Sequence, residues 1–288
     1  RTLAYATLHS SFVWSPLVMD ALPALLALVA IVLYLTAAGR VARAVAQRRV
    51  PARGPLLAII STALVLHVVV MHEAIIIPNG LRFGLFNIAM MHGWLLALLA
   101  LLVNVYRPVQ GIYLVAMPLA AFELSLGVVG HDPQSMALAL TPAIEGHILL
   151  SLLAYSLLSI AALQALLLHW QDRALRRHKR GLLMALPALQ TMESMLFELI
   201  AAGFVLLCLA IGTGFFVLDD LFAQHVVHKT VFTLMAWVVF ACLLAGRYWR
   251  GWRGRTAVRF TLIGFGLLLV GFVGSKFVLE LLLMPAAS

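Results

Sequence analysis

The chain has 288 residues, 64% of them hydrophobic and 11% charged, with a mean hydropathy of +1.04. Soluble domains carry roughly 25% charged residues, so a water-soluble globular domain is excluded and a polytopic membrane protein is implied. The net charge of +9 would suit a nucleic-acid partner, but the basic residues sit in short links between apolar runs, the pattern of cytoplasmic loops and not of a phosphate-binding face.

Residues 1–20 lack the basic start, compact apolar core and small-residue cleavage site of a signal peptide. With Tyr5 and Trp14 they read as an amino-terminal segment lying at the interface. Residues 21–288 read as a single membrane domain without repeats or low-complexity tracts. Its runs reach the roughly 20 apolar residues a spanning helix needs. An all-α bundle follows, because unclosed strands leave backbone groups unpaired in lipid and no alternating barrel pattern is present.

Eight spans are predicted in chain order: Ala21–Ala38, Leu56–Ile77, Phe83–Val105, Gly111–Val129, Pro142–Leu168, Met195–Val217, Gln224–Leu244 and Phe260–Leu283. Sixteen of the twenty Lys and Arg fall in the links after spans one, three, five and seven. These are Arg40, Arg43, Arg48, Arg49 and Arg53; Arg107; Arg173, Arg176, Arg177, Lys179 and Arg180; and Arg247, Arg250, Arg253, Arg255 and Arg259. The opposite side keeps Arg1, Arg82, Lys229 and Lys276. The positive-inside rule then predicts both termini to be extracytoplasmic. The polar stretch Arg173–Glu193 is expected to rest on the inner surface.

The ten histidines are the chemically informative residues, since a polar ring at membrane depth is costly unless something uses it. His67 falls near mid-membrane in span two, with His72 beside Glu73 at its outer end. His92 lies a few turns into span three, and His131 in an outer loop. His147 follows Thr141-Pro142, a cap and first helical position, and so sits about one turn inside the outer end of span five. Ser151 and Tyr155 continue its face as a polar stripe that could line a cavity. His225 and His228 open span seven, three residues apart and hence on one face. His169 and His178 belong to the inner basic side, and His9 to the amino-terminal segment. His67 and His72 are five apart, about 140° around a helix, so they do not share a pocket.

Imidazoles from separate helices suit haem b, which needs one or two axial histidines and an apolar slot. Zinc or copper needs three or four close ligands with a second shell; His147, His67 and His92 are the candidate metal ligands in either case, and Glu73 and Glu145 could complete a metal site. Proton transfer along a His/Glu chain is a further possibility. Cys208 and Cys242 lie in different spans without a C-x-x-C, which excludes a redox pair or covalent c-type haem attachment. Gly212 and Gly214 in span six, and Gly264, Gly266, Gly271 and Gly274 in span eight, read as sites of close helix approach. Trp249 and Trp252 read as inner-interface anchors. Lys276 and Glu280 read as an i,i+4 pair.

The runs Thr141–Leu168 and Leu186–Leu207, the GTGF at Gly212–Phe215, and the runs His228–Phe240 and Gly251–Phe265 resemble the cytochrome c assembly protein family, which groups the CcsA, CcmC and HemX-like membrane proteins. The likeness spans Thr141–Leu283 and is nearest to the eight-helix YpjD/HemX-like branch; the first four spans match by layout. The resemblance implies a haem-handling bundle in the bacterial inner membrane that presents haem at its outer face to apocytochrome c or other membrane assembly proteins. It also implies His147 as a haem ligand. The family's tryptophan-rich outer loop would fall at Asp219–Lys229, which reads DDLFAQHVVHK and has no tryptophan. That departure sets the chain apart from the members that ligate haem to cytochrome c, and leaves haem binding or an accessory role, with His225 or His228 as substitutes.

The expectation is therefore a multi-pass inner-membrane protein in contact with lipid, holding or passing non-covalent haem b near the outer leaflet. The chain itself makes and breaks no bond. His147 would be one ligand, with His67 or His92 foremost for the other, and His228, His225, His72, Ser151 and Tyr155 as further site residues. The alternatives are a non-haem accessory subunit or transporter component whose histidines carry protons or a divalent metal, and a structural partner of another membrane complex.

Overall fold

The apolar runs fold as helices because only an internally hydrogen-bonded backbone can cross hydrocarbon without unpaired amides. A computed structural model describes residues 16–47, 49–77, 80–82, 84–107, 109–130, 137–138, 141–176, 187–217 and 227–274. The helices are α1 (Pro16–Ala46), α2 (Arg53–Ile75), α3 (Leu85–Tyr106), α4 (Tyr113–Val129), α5 (Pro142–Arg176), α6 (Leu189–Val217), α7 (Val227–Arg250) and α8 (Arg255–Leu269). Among the described residues all eight predicted spans are present as helices long and apolar enough to cross a membrane.

The helices overrun the apolar segments mainly at the arginine-rich end. α1 continues to Ala46 and α7 to Arg250, while α8 starts at Arg255. The stretch expected to lie on the inner surface divides: Arg173–Arg176 finishes α5, and Leu189–Glu193 begins α6. Hydropathy marks where lipid stops, but the hydrogen-bond ladder continues into the interface, where arginine stems cover apolar surface and extend their charges outward. The expected outer-loop His131 and inner His178, the Lys276–Glu280 pair and the amino-terminal segment up to residue 15 lie outside the described residues.

Cross-helix contacts of the arginine-rich end tie its links together. Arg53 at the start of α2 donates to the carbonyls of Asn104 and Val105 at the end of α3, at 2.9 and 2.6 Å. Arg107 meets Glu198 of α6 at 2.9 Å. Asp172 of α5 bonds Arg176 at 3.0 Å and Arg255 of α8 at 3.4 Å. Glu193 of α6 takes Arg247 of α7 at 3.3 Å. The exposed Arg107–Glu198 pair contributes at most about 1 kcal/mol, but together these contacts establish that the helix ends share one face of the bundle.

At the opposite end, β1 (Ile76–Ile77), β2 (Gly80–Arg82) and β3 (Ala137–Leu138) form a small antiparallel sheet in the order β1-β2-β3. The register pairs Ile76 with Leu81 and Ile77 with Gly80. In the core, α1 packs on α2 and α4, α3 on α4, and α5 on α6 and α8, while the α3–α5 contact joins the two halves. Small residues permit the close approaches. Gly203 of α6 leaves room for Leu158 of α5, whose Cδ2 would stand 2.7 Å from an added Cβ.

Candidate functional site

Residues of α5, α6, α7 and α8, together with Ile88 of α3, line a cavity of about 340 Å³ toward the end away from the arginines. That volume lies within the roughly 300–1,000 Å³ of small-molecule sites. Its walls are mostly aliphatic and aromatic: Ile148, Leu152, Leu207, Ile211, Leu234, Leu268 and Phe272, with Phe215, 55% exposed, on the rim. Polar atoms are few and come from His147, Ser151 and Tyr155 of α5 and from Lys229, Thr230 and Thr233 of α7. The three α5 residues recur every fourth position and so stack on one helix face. Their predicted stripe is a cavity wall.

His147 is half-buried and held from two sides. Its Nδ1 lies 3.0 Å from the Thr213 hydroxyl of α6. The ring also lies over Gly214, where an added Cβ would stand 3.1 Å from Cε1. Gly214 thus serves close approach, as predicted, but the neighbour it admits is the imidazole itself. Gly212 has nothing within 4 Å. The Ala210 carbonyl of α6 is a further partner of the ring.

Tyr155 forms the aromatic floor, with ring centroids 5.5 Å from Phe265, 5.3 Å from Phe272 and 4.8 Å from His92. His92 stands behind that floor and does not line the cavity. Its Nδ1 meets both carboxylate oxygens of Glu123 in α4, at 2.8 and 3.0 Å. Its Nε2 lies 3.0 Å from the Ser159 hydroxyl. Ser159 donates its own proton to the Tyr155 carbonyl at 2.8 Å, so it accepts from Nε2–H. Both ring nitrogens are engaged.

The remaining sequence-predicted residues are dispersed. His67 is fully buried between α1 and α2, its Nδ1 3.2 Å from the Tyr34 hydroxyl and its Nε2 without a partner among the described residues. It does not line the cavity. His72 is exposed and faces Glu73 at 3.6 Å. His228 belongs to the first turn of α7, next to the cavity-lining Lys229, with its side chain outside the described residues, as His225 is entirely. The cavity therefore brings together His147, Ser151 and Tyr155 and leaves His67, His92 and His72 elsewhere. Among the described residues there is no group of three His, Cys, Asp or Glu able to hold a metal ion.

Two residues in this arrangement escape a reading of the sequence. Glu123 is a lone carboxylate in an apolar span, and the cost of such a group in lipid is the signal that it needs a partner like His92. Thr213 sits between the two glycines of the GTGF run, where small residues suggest packing alone. A hydroxyl one turn from the end of an apolar helix was its available clue. Cys208 accepts from the Trp237 indole N–H at 3.1 Å, and the aromatic face of that indole stacks on Phe204.

Known proteins carry the same sequence pattern. The profile of the Cytochrome C assembly protein family matches residues 50–283, which extends the likeness of Thr141–Leu283 back through spans two to four. The chain is 33% identical over 231 residues to the inner membrane protein YpjD of Escherichia coli K12, covering 78% of this chain and 88% of that protein. An uncharacterized 28.8 kDa protein from a nifR3-like 5′ region of Azospirillum brasilense is 34% identical over 143 residues, covering 49% of this chain and 53% of its own length. No solved structure matches significantly.

Proposed function

The chain belongs to the cytochrome c assembly protein family and is a multi-pass protein of the bacterial inner membrane, and on that premise we propose that it holds haem b non-covalently in the cavity between α5, α6, α7 and α8, where His147 would bind the iron. The single observation that carries the proposal is an imidazole, His147, on the wall of an otherwise apolar cavity with its Nδ1 held by Thr213 of a neighbouring helix. An imidazole oriented by a hydrogen bond through one ring nitrogen is the arrangement of a histidine that binds metal through the other. Apolar walls and an aromatic floor suit the faces of a porphyrin. The open rim at Phe215 lets a plate larger than the enclosed volume extend outward.

Haem would supply an iron that can carry one electron or simply be handed on to an acceptor; the chain's part is to bind, orient and shield it. Lys229, on the cavity wall from α7, supplies a cation for an anionic substituent of such a ligand. His92 is spoken for on both sides, and neither it nor His67 lines the cavity. The family's name, Cytochrome C assembly protein, supports a reading in which the chain holds or passes haem for such partners, with the arginine-poor end of the bundle as the delivery side.

The test is an absorption titration of the detergent-purified chain with hemin. A saturable Soret band at one haem per chain is expected, and His147→Ala should weaken hemin binding by at least about tenfold, as loss of a principal metal ligand or of its supporting shell does. Free imidazole should restore part of the band in His147→Ala. The absence of any saturable Soret band in the wild type would sink the proposal.

A further inference from the structure

We propose that Thr213 is the positioning residue of this site: its hydroxyl fixes the tautomer of His147 so that Nε2 presents a lone pair to the cavity. The inference rests on the haem reading above and concerns what prepares the ligand. A neutral imidazole carries one N–H, and which nitrogen carries it depends on what each nitrogen faces. Thr213 Oγ1 lies 3.0 Å from the Leu209 carbonyl and 3.1 Å from the Ala210 carbonyl of its own helix, and 3.0 Å from His147 Nδ1.

A threonine hydroxyl has a single proton, and two arrangements are open to it. If that proton went to Nδ1, the imidazole N–H would sit on Nε2 and the hydroxyl would give up both of its helix carbonyls. If Thr213 instead gives its proton to those carbonyls, at 3.0 and 3.1 Å, the Nδ1–H donates to Oγ1. The second arrangement wins because it keeps the hydroxyl bonded within its own helix, as threonines inside helices commonly are, and it leaves a lone pair on Nε2, the atom a metal would take.

Gly214 completes the arrangement. A Cβ there would stand 3.1 Å from Cε1, so the ring would have to shift by a few tenths of an ångström to admit it, and glycine leaves the ring where its hydrogen bond to Thr213 holds it. The Thr213-Gly214 pair thus acts on His147 from the neighbouring helix, one residue through its hydroxyl and the other by leaving space. A hydrogen bond from Nδ1–H also raises the basicity of the opposite nitrogen, a recurrent feature of metal-binding histidines.

Full-length protein in detergent is titrated with hemin as wild type, Thr213→Val, Thr213→Ser and His147→Ala, and the midpoint potential of each loaded form is measured. Thr213→Val keeps the volume and removes the acceptor; it should weaken hemin binding about 10- to 100-fold, the usual effect of losing a metal ligand's supporting partner. It should also shift the potential upward, because a less basic imidazole stabilises ferric iron less. Thr213→Ser should recover both values. Wild-type affinity and potential in Thr213→Val, with binding still lost in His147→Ala, would overturn the role of Thr213 and leave the haem reading standing. Undiminished hemin binding in His147→Ala would overturn the haem reading and this inference together.

Discussion

A carboxyl group inside the hydrocarbon region persists only with a partner that shares its charge or its proton, and Glu123 has one in the His92 ring at 2.8 Å. Gly93, the residue after His92, makes the space: an added Cβ there would stand 2.9 Å from Glu123 Oε2 and 3.0 Å from Glu123 Cβ. Histidine, glycine and glutamate are therefore one unit that joins α3 to α4, and through Ser159 to α5. Removing one member leaves the other buried and unpaired, so Glu123→Ala is expected to cost about 3–5 kcal/mol. Glu123→Gln keeps an acceptor for Nδ1–H and should cost less. Thermal unfolding of the two variants in detergent checks this, and equal melting temperatures for wild type and Glu123→Ala would dissolve the unit. The same residues mark how far sequence reading reaches. His147, Ser151 and Tyr155 lie four apart on one helix, a spacing readable without tertiary contacts, and they do share a wall. The partnership of His92 with Glu123 spans 31 positions and two helices, and no local periodicity encodes which distant carboxylate meets which ring. His67 looks the same as His147 in sequence, a histidine in an apolar run, and differs only in being packed against Tyr34.

The connection between α7 and α8 is where helix geometry depends most on particular residues. Gly251 and Gly254 adopt φ of +66° and +57°, values that side-chain-bearing residues rarely take. The turn they make brings Trp252 back against α7, where its backbone N–H bonds the Gly246 carbonyl at 3.1 Å and its ring meets Phe260 at 4.9 Å between centroids. Trp252 is thus packed within the hairpin, whereas Trp249 is exposed as an interface anchor should be. Glu193 of α6 fastens the turn, accepting from the Gly254 amide and from Arg247, both at 3.3 Å. Arg247 in turn lies 4.5 Å over the Phe197 ring. A β-carbon at position 254 would have to hold a strained backbone, so Gly254→Ala is expected to cost about 1–3 kcal/mol. Glu193→Ala, which frees a guanidinium and an amide together, should cost about 2 kcal/mol. Denaturation of each variant measures these losses, and a double variant that loses less than their sum would place both in one unit. The existence of these helices was legible from the lengths of the apolar runs. Their ends were not, because arginine-rich turns extend the hydrogen-bond ladder beyond the hydrocarbon, where hydropathy gives no signal.

Across the whole molecule, the charge distribution and the cavity lie at opposite ends of the bundle. Arg53, Arg107, Arg247 and Arg255 all bond to groups on neighbouring helices at one end, where Arg176 also bonds Asp172 of its own helix. The cavity is lined from the first turns of α5 and α7 and the last turns of α6 and α8. Those are the ends of the same helices farthest from the arginines. The positive-inside rule orients a protein by its Lys and Arg, with acidic residues contributing little, so the arginine-rich end should face the cytoplasm and the cavity should open toward the outer leaflet. That orientation is a premise of any delivery of haem to partners outside the cytoplasm, and it can be tested apart from haem. With Cys208 and Cys242 replaced by serine, single cysteines would be placed at Glu145, exposed in the first turn of α5, and at Arg250, exposed at the end of α7. In intact cells a membrane-impermeant maleimide is expected to label Glu145→Cys and to spare Arg250→Cys until the membrane is opened. The reverse pattern would turn the cavity toward the cytoplasm, where a ligand held by His147 would be positioned for uptake from inside and not for release outside.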